Sequence, residues 1–117
     1  MSTTDGLVII ERLNDVSRYT RIALRQFPKH EKFILGQEIR ESILTIRRLT
    51  VRALKRYYKK TTLEDMDIEI EVLRHLIRDA VNLEYVDLRR YEEWSRLVNE
   101  VGKILGAWLK NVKRHEK

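Results

Sequence analysis

Apolar side chains recur along this chain with the period of an α-helix, in four separate stretches. In the longest, Tyr91, Trp94, Val98, Val101, Leu105, Trp108 and Val112 follow one another at gaps of 3, 4, 3, 4, 3 and 4. All seven therefore share one face of a single helix, a stripe about six turns long. Leu97 and Ile104 widen it, while Arg96, Lys103 and Lys110 fall outside it and keep the opposite surface wet. Gly102 and Gly106 each give up about 1 kcal/mol of helix stability against alanine, and close backbone approach by a neighbouring helix is the expected compensation. This segment reads as a buried bundle helix, with Trp94, Trp108, Gly102 and Gly106 as packing residues.

Three further stretches repeat the pattern. Ile9, Leu13, Val16, Thr20, Ala23 and Phe27 make a first amphipathic helix, which Pro28 ends in a tight Phe27-to-Lys32 corner. Leu35, Ile39, Ser42, Ile46, Leu49 and Ala53 make a second, expected to run to about Tyr58. Thr61 and Glu64 have capping-box spacing and open a third helix, striped by Leu63, Met66, Ile70, Leu73, Ile77 and Ala80. The acids Glu64, Asp65, Asp67, Glu69 and Glu71 crowd its positive end. Residues 82–86 form a short connection, and Asp87 is the expected N-cap of the fourth helix. The fold class is all-α, an antiparallel four-helix bundle over residues 7–113, with a flexible polar leader at 1–6 and a basic tail at 114–117.

With 117 residues, one proline, four glycines and no cysteine, the chain fits one domain and excludes a disulfide scaffold or thiolate metal site. No apolar run approaches the ~20 residues needed to span a bilayer, and no basic n-region precedes the first apolar residues. A soluble, unprocessed, cytoplasmic protein is expected. Apolar residues off the main stripes, Ile43, Tyr57, Tyr58, Leu97 and Ile104, point to self-association.

Charge points beyond architecture. Between Arg47 and Lys60 stand seven cations, Arg47, Arg48, Arg52, Lys55, Arg56, Lys59 and Lys60, and no acid, although the whole chain carries only +6. Cations do favour helix carboxyl ends, and the acids of the third helix offer a partner across the corner. That dipole effect covers only the last turn, and Arg47, Arg48 and Arg52 lie further back. Arg48, Arg52, Lys55, Arg56 and Lys59 are expected on one flank beside Tyr57 and Tyr58, the footprint of phosphate binding that weakens with salt. A second cluster, Lys110, Lys113, Arg114 and Lys117, reads as solvated.

Catalytic constellations are poor. His30, His75 and His115 stand on three different elements without acids or cysteines at ligand spacing, so neither a metal nor another cofactor is expected. His75 and Asp79 are spaced for a surface hydrogen bond, and adjacent Glu92 and Glu93 splay apart on a helix. Glycine-rich phosphate loops are absent. Arg25 and His30 resemble the Arg-x4-His ribonuclease motif of the HEPN helical bundles, but Pro28 between them forms a corner.

The segment Glu100-Val101-Gly102-Lys103-Ile104-Leu105-Gly106-Ala107-Trp108 resembles the Glu-(Val/Ile)-Gly-(Arg/Lys)-x-Leu-Gly-x-Trp signature of the accessory variability determinant (Avd) family of diversity-generating retroelements. Phe27-Pro28-Lys29, Phe33-Ile34-Leu35-Gly36 and Leu73-Arg74-His75-Leu76-Ile77-Arg78 extend the likeness in the family's order, from about Val8 to Leu109. A bundle family encoded in intervening sequences of bacterial ribosomal RNA shares that fold but carries Asn-Ile-Ala-Glu-Gly after helix two. Here the basic 54–60 stretch stands in its place. The resemblance implies a homopentameric barrel of bundles, without enzymatic activity of its own, that binds the retroelement's reverse transcriptase and template RNA during mutagenic copying. Tyr85-Val86-Asp87-Leu88 lacks the second aspartate of a polymerase motif. Gly102, Gly106 and Trp108 would then fix how helix four meets its neighbours. The cations from Arg47 to Lys60 are assigned to nucleic acid, or to an acidic polymerase face, by charge alone.

Overall fold

Each periodic stretch folds as one long helix in the computed structural model, which describes residues 2–115, with side chains from Thr4 onward. The elements are α1 (Ser2–Leu24), a 3₁₀ turn (Lys29–Phe33), α2 (Leu35–Lys55), α3 (Lys60–Asn82) and α4 (Leu88–His115). Met1 of the expected leader and residues 116 and 117 of the expected tail lie outside the described residues.

The stripes become the core. Ile9, Leu13, Val16 and Ala23 of α1, Ile39 and Ile46 of α2, Leu63, Met66, Ile70 and Ile77 of α3, and Val98, Val101 and Leu105 of α4 are all buried. Neighbours in sequence pack together and α4 closes against α1, so the helices stand in a square in chain order. At 1.5 Å per residue the 28 residues of α4 run most of the 47 Å length of the molecule. Trp94 and Trp108, two heptads apart on that helix, are fully buried, and Trp94 Nε1 donates to Thr20 Oγ1 on α1 at 2.9 Å. The Thr20 hydroxyl in turn donates to the Val16 carbonyl oxygen at 2.7 Å, so a polar pair survives in the apolar interior because every proton is used.

Several boundaries differ from expectation: α1 ends at Leu24 rather than Phe27, and α4 runs to His115, into the expected tail. Helix α1 reaches back through the polar leader to Ser2, because Gly6 is buried where a Cβ would stand 2.4 Å from Leu54 Cδ2 and 3.0 Å from the Trp108 ring. Helix α2 stops at Lys55, and Arg56 is extended at φ −87° and ψ 148°. Helix α3 starts at Lys60 with no side-chain cap, so Thr61 lies within the first turn and the capping box does not form. The Phe27–Pro28 corner winds into a 3₁₀ turn. Asp87 does cap α4, accepting from the Arg90 amide at 2.8 Å. Helix α3 ends in a Schellman motif: Tyr85 N–H reaches the Ala80 carbonyl at 2.9 Å and Glu84 N–H the Val81 carbonyl at 3.0 Å, with Glu84 left-handed at φ 62°.

The glycines of α4 also differ from expectation. A Cβ on Gly102 would meet the Arg74 guanidinium at 2.5 Å, a flexible side chain rather than a helix backbone, and one on Gly106 would meet nothing within 4 Å. Gly106→Ala is therefore expected to stabilise the fold by about 0.5–1 kcal/mol through helix propensity. Gly6→Val is expected to cost about 1–3 kcal/mol by overpacking against Trp108. Urea unfolding of the two variants checks both signs.

Candidate nucleic-acid interface

The outer face of α2 lies opposite Ile39, Ile46 and Ala53, and its side chains are set there by helical geometry alone. Arg48, Arg52 and Lys55 are exposed on it, and Arg56 is exposed just past the helix end. None of these four makes an ion pair among the described residues. Tyr57 and Tyr58 stand exposed beside them, rings edge to face at 4.7 Å. Charge without a counter-ion beside free aromatic faces suits a polyanion that also carries stackable bases.

The expected flank does not remain one helical stripe, because the chain leaves α2 after Lys55. Lys59 instead turns back, and its ammonium donates to the carbonyls of Ala53 at 2.6 Å and Arg56 at 2.5 Å. It closes the carboxyl end of α2, a structural task. Arg47 is half-buried and donates to Asn14 Oδ1 at 3.0 Å and Ser17 Oγ at 3.3 Å, tying α2 to α1. Lys60 is exposed in the first turn of α3. Of the seven expected cations, the outward set is Arg48, Arg52, Lys55, Arg56 and Lys60.

The acids at the start of α3 form no ion pair with Arg48, Arg52, Lys55 or Arg56 among the described residues. Glu69 accepts from Ser42 Oγ at 2.7 Å, and Glu64 lies 4.0 Å from Lys113 of α4.

A cleft between α1 and α2 went unread in the sequence. About 210 Å³ in volume, it is lined by Ser17, Thr20, Arg21, Arg40, Ile43, Leu44 and Arg47. Arg40 lies two turns before Arg47, and Arg21 comes from another helix, so no local run of charge announces the group. The spacing of Arg40 and Arg47 at i, i+7 was the available signal.

Between α3 and α4 runs a second polar groove. Arg74 donates to Asn99 Oδ1 at 3.0 Å and Glu71 Oε1 at 3.1 Å, which places its guanidinium over Gly102. A hydrogen bond from Arg78 lowers the Tyr91 phenol below the ordinary tyrosine range, with a smaller contribution from a hydrogen bond donated by Ser95. His30 is exposed on the 3₁₀ turn, 3.7 Å from Glu31, while Arg25 lies beyond the last residue of α1. His75 faces Glu71 at 3.5 Å instead of Asp79. No group of metal-ligating side chains forms among the described residues, and no helix among them is long and apolar enough to cross a membrane.

The model of the bAvd-like family matches residues 7–112, from the second turn of α1 to the last turn of α4. The chain belongs to that family. No curated protein matches it.

Tyr91 is expected to ionise below the ordinary midpoint of about 10, measured as the absorbance component that Tyr91→Phe removes. Arg78→Gln is expected to return it toward the ordinary value. The folded phenol gives up its proton more readily than the unfolded one, so the unfolded chain binds more protons between the lowered and the ordinary pKa. Across that window stability is expected to rise with pH.

Proposed function

We propose that this chain is a non-enzymatic accessory protein of a diversity-generating retroelement, which binds the element's reverse transcriptase and its template RNA. The observation that carries the reading is the un-neutralised outer face of α2 on a bundle that the bAvd-like family model matches over residues 7–112. Arg48, Arg52, Lys55 and Arg56, with Lys60 beyond the corner, supply phosphate contacts, and Tyr57 and Tyr58 supply stacking faces.

A homopentamer, as the resemblance implies, multiplies that face around a ring. Linked copies raise the effective concentration of each further contact, so weak individual pairs give useful affinity. Exposed Tyr57, Tyr58, Ile68 and Leu88 offer apolar surface for assembly or for the polymerase. The copying chemistry belongs to the partner, the protein works without metal or other cofactor, and its place is the cytoplasm.

Incubation with single-stranded RNA tests the reading. The expected result is retarded, intact RNA, with affinity falling roughly tenfold to a hundredfold in the combined Arg48→Glu, Arg52→Glu, Arg56→Glu variant. RNA fragments that disappear in His30→Ala would instead indicate a nuclease. Co-expression with a reverse transcriptase encoded beside this chain is expected to yield a complex that copurifies.

A further inference from the structure

We propose that the cleft between α1 and α2 is a discrete phosphate-binding site, formed by Arg21, Arg40, Arg47 and the Ser17 hydroxyl. Three arginines line one cavity of about 210 Å³ and no acid lines it with them. Like charges gathered this way repel, a cost that several other arginines of the bundle offset by pairing with an acid. Arg12 and Arg18 both meet Asp15, Arg74 meets Glu71, Arg90 meets Asp87 and Arg96 meets Glu93. Arg21, Arg40 and Arg47 enter no ion pair among the described residues.

Their existing bonds leave donors to spare. Arg40 reaches only Gln37 Oε1, at a long 3.4 Å, and Arg47 spends one N–H on Asn14 and one on Ser17. Because Ser17 Oγ accepts from Arg47, its own proton remains to be given to an anion. Thr20 takes no part, since its hydroxyl already serves Val16 and Trp94. Planar guanidinium forks match the oxygens of a phosphate group.

The packing leaves room for it. Of the four packed helix pairs, α1 and α2 meet least extensively, and the cavity opens along that seam. A phosphate there bridges two helices that Arg47 alone otherwise links through polar bonds among the described residues. The ligand class is a phosphate group, either free on a small molecule or carried by a strand. This site is separate from the outer face of α2, and it stands even if RNA binds nowhere on the protein.

The test is a thermal melt of the full chain in pyrophosphate against sodium chloride at matched ionic strength, with calorimetric titration of pyrophosphate. An anion bound to the folded state raises the melting temperature by mass action. The expected result is a rise specific to pyrophosphate and an apparent Kd weakened about tenfold or more in Arg40→Gln and in Arg21→Gln. Both arginines are exposed, so each variant is expected to keep the wild-type melting temperature in chloride. A second arm titrates single-stranded RNA: weakening in Arg40→Gln identifies a strand phosphate as the source, and unchanged RNA affinity with lost pyrophosphate binding identifies a free phosphate. Equal melting in both salts, or pyrophosphate binding that survives Arg40→Gln and Arg21→Gln together, overturns the proposal.

Discussion

Burial of one face of α4 is the constraint from which the other features of the bundle follow. Trp94 and Trp108 pin that face near its two ends, the first through its bond to Thr20 on α1 and the second beside Gly6, which also packs near Leu54 of α2. Removing a buried side chain of this size costs about 3–5 kcal/mol, a large share of the 5–15 kcal/mol that holds a domain folded. Once α4 is seated, its neighbours must turn their own stripes inward. Arg48, Arg52 and Lys55 are then displayed by default, because their helix buries Ile39, Ile46 and Ala53 on the other side.

The exposed charge of α2 also has a local cause. Ion pairs in this bundle form mostly within a helix between residues three apart, as Arg74 with Glu71 and Arg96 with Glu93 show. Residues 42–63 contain neither aspartate nor glutamate, so Arg48, Arg52 and Lys55 have no acid within a turn. The acids of α3 are directed to Ser42 and Lys113 instead. A surface left unpaired in this way is held by no specific geometry. It can meet a flexible polyanion in many registers, which suits a sequence-independent accessory role.

Most of the fold was legible because a helical stripe is a property of sequence spacing. The residues placed in the stripes are buried, apart from Tyr91, which is half-buried and bonded to Arg78. Helix ends were less legible because they depend on contacts that apolar periodicity does not encode. Lys59 closes α2 by bonding carbonyls three and six residues back, and Gly6 lies under a contact with Trp108 from the other end of the chain. The glycine signature of α4 shows the same limit: its spacing identified the family, but Gly102 accommodates the Arg74 side chain and Gly106 faces open space within this chain. Clustering of Arg21 with Arg40 and Arg47 needed two helices brought together, so charge counting along the chain passed over it.

The central claim is that α2 offers unpaired cations to nucleic acid phosphates. Its most direct test is the salt dependence of single-stranded RNA binding by the wild-type protein. Each phosphate neutralised on a single strand contributes about −0.7 to the slope of log K against log salt. Four contacts from Arg48, Arg52, Lys55 and Arg56 therefore predict a slope of about −3 per subunit engaged. A slope near zero, or no binding at low ionic strength, would contradict the account.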